Sequence, residues 1–357
     1  MTHGVFVIGG GAMGLGAAIE LARRGISVTV ADRGQLNSGS SWAGAGILST
    51  LPPWGYAEEV SRLALAGMRA WPAWAGLLEG QAQTSPEFWP CGMEIKLEDG
   101  LDSAMHWCLA RQLGAEIKAD GIWLPDVSQV RNPRLLAAMK ETVITLGGKL
   151  LSNCEASGFA TEKGRIVAVH TNQGDQQANQ FVLATGAWAG LSLNSMAPTP
   201  NIRPMRGQML LYPPGSHALD HIIQQDGFNL VPRRDGHLLA GSTMENAGYD
   251  ASTTSEALGT LHQKACEILP SLRNHPPVKS WAGLRPGSPD NLPVIDRHPD
   301  FENLWVHAGH FRYGVTMAPA SSRLLVELMT NETPFLDPAP YSWQAALKRK
   351  WQDSPAC

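Results

Sequence analysis

A chain of 357 residues has room for two compact domains or for one fold with a large insertion, and 43% hydrophobic against 17% charged residues excludes bulk disorder. Its 28 Lys and Arg against 32 Asp and Glu leave a net charge of −4 with no long run of one sign, which argues against nucleic acid as a partner. Five cysteines (Cys91, Cys108, Cys154, Cys266 and Cys357) with no CxxC pair and no metal-ligand spacing point to a reduced, cytoplasmic protein without a metal site.

From the N-terminus, the apolar stretch Val5 to Ile19 is broken by glycines and runs into Glu20, Arg23 and Arg24, unlike a signal peptide. No stretch reaches the roughly 18 apolar residues of a membrane span. Gly4 to Gly10 reads as a buried parallel strand, Ala12 to Arg24 as a helix stopped by Gly25, and Ile26 to Ala31 as a strand ending at Asp32. Gly39 to Ile47 reads as a small-residue loop and Glu58 to Leu78 as a helix. Pro86 to Val130 is irregular, and Pro133 to Leu146 is a helix with Asn132 as N-cap and Pro133 at its first position. Strand patterns follow at Arg165 to His170, Phe181 to Leu183, Met205 to Tyr212 and Asn229 to Gly241, the last folded at Arg234-Asp235-Gly236 into a hairpin. A helix at Ser255 to Ile268, a strand at Leu304 to His307 and a helix at Pro319 to Leu328 complete the chain.

Gly9, Gly11 and Gly14 form GxGxxG between the first strand and the first helix, where the backbone can approach a pyrophosphate at the helix N-terminus. Asp32 closes the second strand, where a carboxylate accepts hydrogen bonds from a ribose diol. This combination predicts a dinucleotide site and leaves nicotinamide and flavin cofactors both open. HExxH, GxSxG and Walker A motifs are absent from the sequence.

Beyond that motif, the chain resembles the FAD-binding oxidoreductases of the D-amino-acid oxidase family, most of all their glycine oxidase branch, which is linked to thiamine thiazole synthesis. The resemblance rests on seven phrases in matching order: SSWAGAGIL at Ser40 to Leu48, VRNPRLL at Val130 to Leu136, ATGAWAG at Ala184 to Gly190, RPMRGQ at Arg203 to Gln208, VPRRDGHLLAGSTM at Val231 to Met244, WAGLRPGSPD at Trp281 to Asp290 and GHFRYG at Gly309 to Gly314. It implies an α/β fold in which a Rossmann-like FAD-binding domain is interleaved with an α+β substrate domain built on a mixed or antiparallel sheet. The corresponding division is 1–80, 131–200 and 276–345 for FAD, and 81–130 and 201–275 for substrate.

Carried over by position, the resemblance assigns the adenosine diphosphate of FAD to Gly9, Gly11, Ala12, Met13, Gly14, Asp32 and Arg33. Ser40, Ser41, Ala43, Gly44, Ala45, Gly46 and Ile47 would run beside the pyrophosphate and the ring. Ala156 would face adenine, Ala184, Thr185 and Gly186 would close the nucleotide side, and Trp188 would lie near the flavin. His310, Phe311, Arg312, Tyr313, Gly314, Val315 and Thr316 would line the flavin ring. Arg285 in WAGLRPG matches the family's carboxylate clamp, a role suited to a planar guanidinium with two parallel donors. Asn229, Met244 and Arg312 fall at substrate-pocket positions, with core packing as the alternative for Met244 and support of the flavin as the alternative for Arg312. Other tryptophans that could wall a pocket are Trp42, Trp54, Trp71, Trp74 and Trp281.

The implied reaction is oxidative deamination of a small amino acid (glycine, sarcosine or a small D-amino acid) by noncovalent FAD, with O2 as acceptor, in a chain that could form a homo-oligomer. There is no cysteine between Trp281 and Gly314 for covalent attachment. A dehydrogenase feeding a quinone and a non-catalytic flavin-binding module remain as alternatives. Three positions depart from the family pattern: Asn229 replaces a tyrosine that helps hold the substrate carboxylate, Tyr313 replaces an asparagine, and Asp32 replaces a glutamate. A roomier pocket is expected at Asn229.

Overall fold

Val5–Ile8 is buried along its whole length, as a run of Val, Phe, Val and Ile demands. It lies inside a six-stranded sheet with the order Val294–Arg297, Leu304–Ala308, Gln180–Leu183, Val5–Ile8, Val28–Ala31, Lys149–Leu151. Five strands are parallel, and the edge strand Val294–Arg297 runs antiparallel. The computed structural model describes residues 4–36, 39–50, 55–193 and 198–351. Trp54 and Cys357 therefore lie outside the described residues.

The helices Ala12–Arg23, Glu58–Gln81, Asn132–Thr145 and Gly314–Met329 share the principal apolar core with this sheet. Trp71, fully buried on Glu58–Gln81, donates its indole N–H to the carbonyls of Val315 and Thr316, both at 3.1 Å. That pair of bonds fixes the start of the Gly314–Met329 helix.

A second sheet has eight strands in the order Lys279–Gly287, Arg203–Tyr212, Leu238–Gly241, Phe228–Pro232, Ile222–Gln225, Met93–Lys96, Gly121–Leu124, Glu116–Lys118. All pairings are antiparallel except that of Ile222–Gln225 with Met93–Lys96. The turn at Gly236 (φ +85°) closes the hairpin expected at Arg234-Asp235-Gly236. Among the described residues, no helix is long and apolar enough to cross a membrane.

Several local expectations shift. The second strand starts at Val28, because Gly25 takes a positive φ and the chain needs two further residues to leave the helix. Within Gly39 to Ile47 the residues Ser40–Ala43 form one helical turn, and Ile47 opens a short strand. Asn132 is the first residue of its helix, not its cap; Arg131 holds the N-cap position, and the Asn132 amide turns away to donate to the Ser41 carbonyl at 2.6 Å. The last long helix begins at Gly314, five residues before the expected Pro319; the proline lies inside the helix and is tolerated because the Trp71 indole donates to the Val315 carbonyl that residue 319 cannot reach with an N–H. Pro86 to Val130 is built from short strands and the helix Leu101–Ala110, with Met93–Lys96, Glu116–Lys118 and Gly121–Leu124 joining the large sheet. Lys279–Gly287 also belongs to the large sheet, although the sequence division grouped it with the FAD segments; its register with Arg203–Tyr212 is unbroken over nine pairs.

Candidate active site

One cavity of about 1380 Å³ receives residues from both sheets. At one end stands the glycine-rich loop. Gly9 adopts φ +111°, and a Cβ on Gly14 would fall 1.8 Å from the Gly9 carbonyl oxygen, so the helix Ala12–Arg23 can begin this close to the strand only with glycine there. Gly9, Gly11, Ala12 and Met13 line the cavity; Gly14 does not, and serves the packing of helix on strand. Gly11 caps the helix with no side-chain bond, so the N-terminus presents its partial positive charge to the cavity. The Ser41 hydroxyl takes the Ala12 N–H at 3.0 Å.

Asp32 lines the cavity and ties the loop together, accepting from the backbone N–H of Gly10 at 2.7 Å and of Gly34 at 2.8 Å. Arg33 lays its guanidinium 3.8 Å above the Trp188 ring, which in turn lies beside Tyr249. Ala156, Ala184, Thr185, Gly186 and Trp188 line the same end.

The middle of the cavity is bordered by Ser40, Ser41, Ala43, Gly44, Ala45, Gly46 and Ile47. This loop is braced from four distant places. The Ser40 hydroxyl donates to the Leu284 carbonyl, and the Trp281 indole donates to the Ala43 carbonyl at 2.9 Å. Asn132 donates to Ser41, and buried Arg233 donates to the Ala45 carbonyl at 2.7 Å while also holding Gln129 at 2.6 Å and the Val130 carbonyl at 3.0 Å. Burial pulls Arg233 down to about 10, which leaves it charged at neutral pH. Trp42 lines the cavity and packs edge-on against Trp281, whereas Trp71 and Trp74 are core residues.

His310, Phe311, Arg312, Tyr313, Gly314, Val315 and Thr316 line the far end, at the N-terminus of the Gly314–Met329 helix. Phe311 takes φ +41°, a left-handed conformation at the bend into that helix. Behind it, His307 and His310 both reach the Ser321 hydroxyl through Nε2 at 2.6 Å. Burial drives His307 down to about 3 and His310 well below its ordinary value, so both stay neutral. Arg312 donates from Nη1 to the Tyr56 hydroxyl at 2.7 Å and from its backbone to Asn291 Oδ1 at 3.0 Å. Tyr313 packs edge-on against Tyr56, and burial raises its hydroxyl well above the usual range.

Arg285, Asn229 and Met244 are brought to one wall. Arg285 is half-buried and donates to the Thr243 carbonyl at 3.1 Å and to the Ser242 hydroxyl. Burial and the neighbouring Arg312 lower it to about 10. Among the described residues no carboxylate lies within ion-pair distance of it, so its charge meets only neutral acceptors. The Asn229 amide makes only a long 3.3 Å bond to the Gly227 carbonyl. Ser242, Gln224, Gly227 and Arg233 escaped the sequence reading; Ser242 lies inside the GSTM phrase, but nothing local marks its hydroxyl as a partner for Arg285.

A family model described as FAD dependent oxidoreductase matches residues 4–328. The chain belongs to that family. Glycine oxidase of Pseudomonas putida is 37% identical over 97% of this chain and 100% of its own length. The bifunctional protein ThiO/ThiG of Trichormus variabilis is 31% identical over 93% of this chain and 53% of its own length. Among solved structures, glycine oxidase from Geobacillus kaustophilus superposes with a TM-score of 0.90 at 24% identity, covering 96% of this chain and 98% of that one.

As a member of this family of flavoenzymes the protein depends on FAD. The cavity fits that cofactor on its own geometry. A Cβ on Gly9 would fall 2.3 Å from the Ala184 carbonyl oxygen and one on Gly11 3.2 Å from the Ser41 hydroxyl, so glycine keeps this cradle open, and two helices that pack against each other, Ala12–Arg23 and Gly314–Met329, both begin at the cavity lining. Helix N-termini carry partial positive charge, which suits a cofactor with an anionic pyrophosphate and a ring that becomes negative on reduction.

Proposed function

We propose that this flavoenzyme oxidatively deaminates a small amino acid, glycine first and sarcosine or small D-amino acids next, to the 2-oxo acid, ammonia and hydrogen peroxide. The observation that carries the reading is Arg285: a guanidinium facing the cavity with neutral partners alone is short of one negative charge, which a substrate carboxylate supplies. The likeness to glycine oxidase of Pseudomonas putida supports glycine, and that to ThiO/ThiG supports a place in thiamine biosynthesis.

In this reading the Gly9 to Gly14 loop, Asp32 and Arg33 hold the nucleotide, with Ala156, Ala184, Thr185, Gly186 and Trp188 around it. Ser40 to Ile47 and His310 to Thr316 would hold the flavin portion. When bound, FAD supplies the hydride acceptor and the route for two electrons to O2. Arg285 binds and orients the carboxylate so that the Cα–H faces the ring, and Arg312, held by Tyr56, adds positive charge at the same wall. Asn229 and Met244 bound the side-chain space. In this reading water takes the substrate's ammonium proton, His310 being buried and held neutral with Nε2 on Ser321, and water later hydrolyses the imine.

The two sheets correspond to an interleaved FAD domain and substrate domain, with Lys279–Gly287 assigned to the substrate side. The deciding test is a panel of glycine, sarcosine, D-alanine and D-proline with the FAD-loaded protein, followed by peroxide formation and an oxygen electrode. Glycine-dependent oxygen uptake is expected. Flavin bleaching without oxygen uptake would make the protein a dehydrogenase, and no bleaching by any amine would overturn the reading.

A further inference from the structure

Arg285 owes its polar contacts to one short segment. Ser242 gives a hydroxyl to Nη2 and Thr243 gives its carbonyl to Nη1, while Met244 of the same segment lines the cavity. The segment lies beyond the strand Leu238–Gly241 and is anchored to Arg206-Gly207-Gln208 on the neighbouring strand. Arg206 and Glu245 exchange both backbone hydrogen bonds, at 2.8 and 2.9 Å, and the Gln208 N–H donates to the Thr243 hydroxyl at 2.9 Å.

The three anchor residues divide between the faces of the sheet. Gly207 and Met209 line the cavity, and a Cβ on Gly207 would lie 2.1 Å from Arg285 Nη1, so glycine leaves the space the guanidinium occupies. Strand alternation sends Arg206 and Gln208 to the opposite face. There Glu245 is the hub. Its Oε2 accepts from Arg206 Nε at 3.0 Å and Nη2 at 2.6 Å, and its Oε1 accepts from Gln208 Nε2 at 2.9 Å and from the Thr243 hydroxyl at 2.5 Å. Arg206 is itself buried and also holds Asp250 at 2.6 Å. Thr243 therefore bridges the faces, with its hydroxyl on Glu245 and its carbonyl on Arg285.

We propose that Glu245, acting through Thr243 from the far face of the sheet, is a positioning residue that fixes the direction of the Arg285 guanidinium. Thr243 is the coupling element. The idea rests on the reading of Arg285 as the carboxylate clamp. A carboxylate with four donors has one stable orientation, and it passes that orientation to the Thr243 backbone and so to Nη1. The charge of Glu245 also offsets burial of the clamp from outside the cavity lining, and the guanidinium N–H groups not bonded to Ser242 and Thr243 are left for substrate.

The test uses the full-length FAD-loaded protein with acetate as an unreactive carboxylate, its Kd read from perturbation of the flavin spectrum, alongside KM and kcat for glycine. Thr243→Val should raise the acetate Kd about tenfold, the scale of one lost buried hydrogen bond, and raise KM more than it lowers kcat. Thr243→Ser, which keeps the hydroxyl, should stay within about twofold of wild type. Glu245→Gln separates position from field: loss of positioning weakens acetate binding, whereas removing a negative charge near an undisturbed clamp tightens it. Wild-type acetate affinity in Thr243→Val, or tighter binding in Glu245→Gln, overturns the proposal; if Thr243→Val does not fold, Glu245→Gln decides. An Arg285→Lys variant reports separately on the clamp: if it binds acetate as wild type does, the clamp reading fails. A crystal structure of Thr243→Val then still decides the positioning, which is overturned if Arg285 keeps both bonds to residues 242 and 243.

Discussion

In the proposed reading Arg285 concentrates substrate binding in one side chain. Replacement by alanine removes the guanidinium that would pair with the substrate carboxylate and leaves Arg312 as the remaining positive charge nearby, so substrate binding should weaken by about 3 kcal/mol while FAD content stays unchanged. Steady-state KM and the 450 nm absorbance of the purified variant check both halves. Asn229 makes a complementary prediction. Its amide is short and nearly unpartnered, and Asn229→Tyr should restore bulk at that wall. Glycine should then gain in kcat/KM relative to D-proline; an unchanged ratio would remove Asn229 from specificity. Arg285 was legible in the sequence because WAGLRPG is a contiguous phrase. Arg233 was not, since its bond to Ala45 spans 188 positions, and Thr243 meets Arg285 across 42.

At the scale of elements, what was legible is what is encoded locally. The glycine-rich loop carries its own geometry within six residues, and the hairpin at Gly236 does the same. Asn132 misleads because its residue type favours capping, while a distant carbonyl at Ser41 offers its amide a stronger use. Pro319 misleads in the same way, as the start of its helix is set by the Trp71 bonds to Val315 and Thr316. The loop's own limits can be measured. Gly14→Ala places a methyl group against the Gly9 carbonyl oxygen, which the backbone can relieve only by moving the helix N-terminus. FAD affinity should fall by about fivefold to 150-fold, the equivalent of about 1–3 kcal/mol of overpacking. Equilibrium dialysis of the apoprotein against FAD measures it; unchanged affinity would mean the helix does not need its close seat.

For the whole molecule, acid sensitivity follows from the buried imidazoles. His307, at about 3, and His310, well below 6.5, remain neutral when folded, whereas in the unfolded chain both take up a proton as pH falls below about 6.5. The contribution is therefore complete above that value and is lost as pH falls towards the folded values, by up to about 1.4 kcal/mol per pH unit for each imidazole. Urea unfolding of the holoprotein at pH 7.5, 6.5 and 5.5 should show falling stability, and a rise on acidification would contradict the assignment.

The six-stranded sheet also sets a timetable. Its second and fourth strands in spatial order, Leu304–Ala308 and Val5–Ile8, are about three hundred residues apart in the sequence, and Gly314–Met329 packs against the helix that the glycine-rich loop begins. A ribosome therefore extrudes the glycine-rich loop roughly three hundred residues before the helix that packs beside it exists. Until Met329 emerges, the nascent polypeptide holds an unfinished receptacle with apolar strands uncovered, so cofactor capture waits for that helix. Chaperone dependence and a sharp loss of yield on C-terminal truncation are the cellular marks of that order of assembly.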